Sequence, residues 1–246
     1  MIVRDRRLRW PIAAQLETAI RGQIIQGVDR RAKYLLIRLE TGSLIVHLGM
    51  SGSLRLIGAK TPPKAHDHWD LVLDSGQALR FHDPRRFGSL HWTQDDIEQH
   101  PLLKKLAPEP LSAAFNGAYL FRITRKRTVA IKQLIMNSQL VVGVGNIYAS
   151  EALFRAGIAP RRAAHRITKA QARNLSRAIK AVLAAAIKIG GTTLRDYVNA
   201  DGEVGYFRQK LFVYERAGAR CRVCKSTVKQ FTQGQRSTYW CATCQR

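Results

Sequence analysis

The chain has 246 residues, of which 41 are Lys or Arg and 17 are Asp or Glu, so its formal charge is +24. A chain this basic indicates a polyanionic partner, and nucleic acid is the commonest one. A membrane surface is the weaker alternative, because the basic residues are spread along the chain and no apolar run is long enough to cross a bilayer.

The first hundred residues predict a β-domain. Short runs of β-branched, leucine and aromatic residues alternate with Gly, Asp or Pro clusters, a pattern typical of a sandwich or barrel. The predicted strands are residues 35–39, 43–48, 53–57, 69–73, 78–82 and 88–92. A proline-bearing stretch, residues 101–110, indicates a linker to a helical region that starts near Asn116.

Two turns of the β-domain carry unusual side chains. The Gly-Met-Ser-Gly turn at residues 49–52 sets Met50 at a hairpin tip, and a proline-initiated turn at residues 83–88 carries Arg85 and Phe87. Apolar side chains at such positions can wedge between base steps of a distorted duplex, while an arginine takes over vacated hydrogen bonds. Alternatively, Met50 lies in the core, Arg85 is a surface cation and the Phe87 ring belongs to the core.

The helical region contains a candidate phosphate site. Glycines 143 and 145 precede a predicted helix, where backbone N–H groups can approach a phosphate. Asn146 either caps this helix or donates to a phosphate. The neighbouring cations would complete a phosphate clamp: Arg125, Lys126, Arg127 and Lys132.

A longer helix is predicted further along the chain. Apolar residues recur on one face between residues 168 and 189, and Thr168 is the expected N-cap.

The last 26 residues hold every cysteine of the chain: Cys221, Cys224, Cys241 and Cys244. Two C-x-x-C pairs separated by sixteen residues predict a zinc ribbon with one Zn²⁺, which is structural because four ligands leave no open position. The alternative, two disulfides, is disfavoured because no signal peptide precedes the cysteines. The insert presents the cations Lys225, Lys229 and Arg236 to an anion.

Seven stretches in chain order resemble formamidopyrimidine-DNA glycosylase, a base-excision repair family for oxidised purines. They are residues 31–35, 47–52, 83–88, 141–151, 190–194, 201–207 and the cysteine ribbon. The resemblance spans essentially the whole chain. Endonuclease VIII, the pyrimidine-directed relative, is less similar at the two turns that carry Met50 and Arg85.

The resemblance implies an α+β fold in three domains. These are a β-sandwich over residues 1–105, a helix–two-turn–helix domain over residues 106–215 and the zinc ribbon over residues 216–246. The implied partner is double-stranded DNA with a damaged base (8-oxoguanine or a formamidopyrimidine) or an abasic site, held between two lobes. A monomeric protein of the bacterial cytoplasm, associated with the nucleoid, is expected.

The resemblance also implies roles for individual residues. Met50, Arg85 and Phe87 would fill the gap left by an extruded nucleotide. Lys33, Asn146 and Arg236 would grip phosphates, and Lys33 and Arg236 would also donate protons in the two strand-cleaving eliminations. The remaining implied DNA contacts are His66, Lys126, Arg127 and Tyr148. A loop over residues 199–209, with Gly202, Gly205 and Tyr206, would close over the flipped base. Without the resemblance, Lys33, His66 and Lys126 are solvated surface charges.

The family's nucleophile is an N-terminal proline followed by glutamate, whose amine attacks C1′ of the sugar. This sequence joins the family pattern near residues 7–11, and the nitrogen of Pro11 is an amide. Two hypotheses follow: an active enzyme whose start is missing here, or a non-catalytic lesion-binding protein of the same fold. Without the preceding helix and strand, the sandwich should expose apolar surface and a strand edge. A general zinc-ribbon nucleic-acid binder is the third hypothesis.

Overall fold

The computed structural model describes residues 1–189 and 211–246. Within this part, the chain folds into two compact units, residues 1–104 and residues 105–189 together with 211–246. The three-domain division predicted above remains a prediction. In the described residues, no helix is long and apolar enough to cross a membrane.

The first unit contains two antiparallel four-stranded sheets. The strands are β1 (Ile2–Val3), β2 (Ile25–Arg31), β3 (Tyr34–Leu39), β4 (Ser43–His47), β5 (Ser53–Gly58), β6 (Asp67–Val72), β7 (Gln77–His82) and β8 (Ser89–Thr93). One sheet has the order β1-β6-β7-β5 and the other the order β2-β3-β4-β8. A short helix, α1 (Leu16–Ala19), precedes β2, and a 3₁₀ turn, Ile97–Gln99, follows β8.

The two sheets share one apolar core, which makes the unit a sandwich. Leu44 and Val46 of β4 pack in the same cluster as Trp69 of β6 and Phe81 of β7. The Trp69 and Phe81 rings stack with centroids 5.3 Å apart. Because side chains alternate across a strand, β4 can fill this core from one face only.

Strand β6 also carries buried charge. Arg80 of β7 donates to both carboxylate oxygens of Asp70, at 2.9 and 2.8 Å. Burial alone would raise the pKa of Asp70, but the hydrogen bonds from Arg80 and Arg4 lower it to about 2. The pair is satisfied inside the protein, as a buried ion pair must be.

The six strands predicted from the sequence are confirmed with shifts of one or two residues at their ends. Strand β2 was not predicted, because it is largely exposed and contains a register shift near Gly27. Its sequence therefore lacks the apolar alternation of a half-buried strand.

Several apolar side chains of the sandwich are exposed. Ile2, Ile24 and Val28 are exposed by 49%, 65% and 58%. Ile24 lines a cleft of about 540 Å³ together with Met1, Leu39 and residues of β6 among others. Strand β1 forms one edge of its sheet.

The second unit contains four helices and a two-stranded hairpin. They are α2 (Gly117–Thr124), α3 (Ile131–Ile135), α4 (Asn146–Arg155), α5 (Lys169–Lys188), β9 (Lys229–Gln233) and β10 (Arg236–Trp240), with a 3₁₀ turn at Ala164–Arg166. Thr168 caps α5 in a capping box with Gln171, so the predicted N-cap is confirmed. Asn116 likewise caps α2 by accepting from the backbone N–H of Tyr119.

The helices of this unit pack around one core. Leu175, Ile179 and Val182 on one face of α5 contact buried residues of α2 and α4. The hairpin β9–β10 contacts α4 as well. These contacts join the ribbon to the helical part of the same unit.

Candidate nucleic-acid interface and metal centre

The side chains on the two tip turns of the sandwich point into solvent. Met50 is 63% exposed and Phe87 is 45% exposed, so the core alternatives for both residues are wrong. Arg85 is exposed too, and its guanidinium carbon lies 5.1 Å from the centroid of the Phe87 ring. The first unit therefore presents two apolar side chains and a cation together at its surface.

The two turns are in direct backbone contact. Gly49 has a φ of +69°, and a Cβ on it would lie 2.6 Å from backbone atoms of Phe87 and Gly88. A Cβ on Gly88 would lie 2.5 Å from the Phe81 ring. Only glycine permits so close an approach, which explains the glycines on either side of the exposed residues.

Lys33 lies beside these turns. It is exposed between β2 and β3, and it lines a cleft of about 260 Å³ with residues of the Met50 turn and His47. Burial, and then the charges of Lys33 and Arg9, lower the pKa of His47. The Nδ1 atom of His47 accepts from the backbone N–H of Gly49 at 2.9 Å, which requires that this nitrogen carry no proton.

His66 is exposed next to the second turn. Its φ is +69°, and its carbonyl oxygen accepts from the N–H of Asp83 at 3.1 Å. Its ring lies 6.1 Å from the ring of His82. The structure thus brings Lys33, His66 and the two tip turns to one region of the sandwich.

In the second unit, Asn146 is the first residue of α4, and Gly145 occupies the N-cap position. The alternative that Asn146 only caps this helix is therefore wrong. Its Oδ1 accepts from Nζ of Lys132 at 2.6 Å, and its Nδ2 donates to the carbonyl oxygen of Ser237 at 3.0 Å. Contacts from α3 and from the ribbon fix the orientation of the Asn146 amide.

Two cations of the predicted phosphate clamp donate to acceptors inside the protein, and their part in the clamp stays a prediction. Lys132 is 1% exposed and donates to Thr238 of β10 at 2.7 Å. Burial, and then the charge of Arg236, lower its pKa to about 8. Arg125 is half-buried, donates to the carbonyl oxygen of Ile167 at 2.6 Å and stacks on the Phe121 ring.

The other cations are exposed. Lys126 and Arg127 line a cleft of about 350 Å³, and Arg127 donates to the carbonyl oxygen of Ile123 at 2.7 Å. Arg236 is exposed where β10 begins, directly after the hairpin turn, and lines a cleft of about 170 Å³. The two clefts share Gln133 and Asn137. Lys126, Arg127 and Arg236 therefore border one continuous surface.

The remaining predicted DNA contacts differ in position. Tyr148 is half-buried and packs against the helical core from α4. Gly202, Gly205 and Tyr206 of the predicted base-recognition loop lie outside the described residues.

The four cysteines form a metal centre. One Sγ atom from each lies within 4.8 Å of all the others, and all four are free thiols, so the disulfide alternative is wrong. The Sγ atoms of Cys224 and Cys241 are 3.3 Å apart, and those of Cys221 and Cys244 are 4.0 Å apart. Thiolates on a tetrahedral Zn²⁺ lie about 3.8 Å apart, so the set fits one structural zinc ion.

No sequence motif assigned a role to Glu151, a residue of α4 that organises the second unit. It is fully buried, and its carboxylate accepts from the backbone N–H groups of Phe212, Val213 and Tyr214 at 2.9 to 3.1 Å. These residues lead into the ribbon. The local sequence of α4 does not indicate these backbone partners, which lie more than sixty residues further along the chain.

A sandwich with exposed apolar tips, a helical unit bordered by cations and a four-thiol ribbon together define a zinc-ribbon protein of the nucleic-acid-binding class. Family models match along the chain: the formamidopyrimidine-DNA glycosylase N-terminal domain over residues 1–90, its H2TH domain over residues 106–198, and a zinc finger found in FPG and IleRS over residues 218–246. The chain belongs to the formamidopyrimidine-DNA glycosylase family.

Individual relatives agree with this assignment. The formamidopyrimidine-DNA glycosylase of Thioalkalivibrio sulfidiphilus (strain HL-EbGR7) is 58% identical over 246 residues, which are 100% of this chain and 91% of that protein. Lactococcus lactis Fpg in complex with abasic-site DNA is similar in structure, with a TM-score of 0.90, 30% identity and coverage of 100% of this chain and 90% of that one. Its complex with Fapy-dG-containing DNA has a TM-score of 0.90 and 30% identity, and the match covers 100% of this chain and 91% of that one.

Proposed function

We propose that this protein is a base-excision repair DNA glycosylase with abasic-site lyase activity, acting on oxidised purines in double-stranded DNA. The observation that carries the proposal is the exposed pair of tip turns, with Met50, Arg85 and Phe87 side by side on a sandwich of this family. Relatives whose structures hold abasic-site DNA and Fapy-dG DNA support the choice of lesion.

The tip side chains suit a duplex from which one nucleotide has been extruded. Two apolar groups can stack against the bases beside the gap, and the guanidinium can pair with the base that lost its partner. Extrusion costs least at a damaged or abasic position, so occupation of the gap favours lesions over intact duplex.

The cations suit the phosphates around such a site. We assign phosphate contacts to Lys33, Asn146 and Arg236, and further DNA contacts to His66, Lys126, Arg127 and Tyr148. For Asn146, the contacts of its amide with Lys132 and Ser237 support a fixed direction of approach. The net charge of +24 supports strong, salt-dependent binding.

The proton-donor roles in the two eliminations go to Lys33 and Arg236. Both side chains are exposed and border clefts, which supports access to a sugar–phosphate backbone. Gly202, Gly205 and Tyr206 are assigned to recognition of the flipped base. The assignments of three domains, a monomer and a place on the bacterial nucleoid belong to the same proposal, with the bacterial relatives as support.

Borohydride trapping on a duplex with one 8-oxoguanine tests the activity. A protein–DNA adduct resistant to denaturation is expected when the family's proline amine heads the chain, because borohydride reduces the iminium that this amine forms with C1′ of the sugar. An undamaged duplex of the same sequence is the control. Selective binding of the lesion without an adduct would contradict the lyase assignment and favour the non-catalytic lesion-binding protein.

A further inference from the structure

The two tip turns are joined by a buried carboxylate. Asp83 is fully buried, and its Oδ1 accepts from Oγ of Ser51 at 2.8 Å and from the backbone N–H of Arg85 at 3.3 Å. Its Oδ2 accepts from the backbone N–H of Gly88 at 2.8 Å. In the part of the chain that the structure describes, Asp83 forms no ion pair.

Each of these hydrogen bonds lies at or next to an exposed tip residue. Ser51 follows Met50 in the chain, the Arg85 bond is to that residue itself, and Gly88 follows Phe87. One carboxylate therefore bonds to the backbone of Arg85 and Gly88 in one turn and to the side chain of Ser51 in the other. A buried polar group is costly unless it is hydrogen-bonded, and these three donors meet that need for Asp83.

The carboxylate is itself held in place. The Nε2–H of buried His68 donates to the carbonyl oxygen of Asp83 at 2.8 Å, and the N–H of Asp83 donates to the carbonyl oxygen of His66. The glycines of the two turns bring the backbones into contact, so the Ser51 bond crosses between turns that already touch.

We propose that Asp83, through Ser51, is a positioning residue that holds the Met50 turn and the Arg85–Phe87 turn as one rigid wedge, and that lesion selectivity depends on it. This inference rests on the proposed function. A wedge that is ordered before binding loses less conformational entropy when it enters a gap. Neither Asp83 nor Ser51 touches DNA in this role.

The test compares affinities for two duplexes that differ only in one tetrahydrofuran abasic analogue. Ser51→Ala removes one bond to Asp83 and is expected to lower the ratio of abasic to plain affinity about fivefold, the factor for one hydrogen bond of ordinary net strength. Affinity for plain duplex should change less than about twofold, because the phosphate contacts stay intact. Asp83→Asn should lower the ratio further.

Ser89→Ala is the matched control. Ser89 is 1% exposed, and its Oγ has no hydrogen-bond partner within the described residues, so the variant removes a buried hydroxyl without breaking the link between the turns. Its affinity ratio should equal that of the unchanged protein.

A double-mutant cycle separates positioning from a general loss of stability. If Ser51 acts through Met50, then Ser51→Ala combined with Met50→Ala should select lesions no worse than Met50→Ala alone. Additive losses, or an unchanged ratio in Ser51→Ala while Met50→Ala lowers it, would overturn the positioning role and leave the proposed function standing. An unchanged ratio in Met50→Ala would overturn the wedge itself.

Discussion

Removal of the zinc ion is expected to weaken binding to abasic-analogue duplex at least about 100-fold, because structural zinc in small ribbons supplies on the order of 10 kcal/mol of folding free energy at neutral pH. The core of the ribbon itself is small. Its strands are five residues each, and its buried cluster includes Cys221 and Cys241 themselves.

Unfolding of the ribbon would also displace groups that make or orient the proposed phosphate contacts. Arg236 lies on β10, and the carbonyl oxygen of Ser237 accepts from the Asn146 amide. Lys132 would lose both of its acceptors in the ribbon, Ser237 and Thr238.

The measurement is fluorescence anisotropy of a labelled abasic-analogue duplex before and after treatment with a zinc chelator. Released metal should reach one equivalent, and added Zn²⁺ should restore binding. Cys241→Ser should behave as the chelated protein does, whereas Ser89→Ala, far from any cysteine in the sequence, should not. Full affinity after complete metal release would show that the ribbon has no part in binding.

Replacement of Glu151 by alanine is expected to lower the free energy of unfolding by about 4 kcal/mol, because each buried donor left without an acceptor costs about 1–3 kcal/mol. The carboxylate accepts from three consecutive backbone N–H groups, those of residues 212–214. A cavity in the core adds to this cost. The effect is large because the lost acceptor served all three donors at once.

Urea unfolding with saturating zinc measures this change. Glu151→Gln retains the shape and one acceptor oxygen, so its loss should be about half as large. The matched control is Glu98→Ala, since Glu98 is exposed and its side chain makes no hydrogen bond in the described residues. A change below about 1 kcal/mol in Glu151→Ala would mean that solvent satisfies these N–H groups.

Features that depend on local pattern could be predicted from the sequence. Short apolar runs located strands β3 to β8, Thr168 marked the start of α5, and cysteine spacing identified the metal centre. In each case the residues that determine the structure lie within one element or one short motif.

Features that depend on partners distant in the sequence could not be predicted in this way. Arg125 and Lys132 resemble Lys126 and Arg127 in sequence, yet the first two turn inward to acceptors far along the chain. Charge alone does not reveal which cations are desolvated. The anchoring roles of buried Asp83 and Glu151 were missed for the same reason.

The structure of this protein bound to a duplex with a tetrahydrofuran abasic analogue tests the central claim most directly. We expect a bent duplex in which the Met50 side chain is in van der Waals contact, at about 4 Å, with the bases that flank the gap, and Arg85 and Phe87 lie beside the unpaired base. A straight, fully stacked duplex that leaves all three side chains in solvent would contradict it.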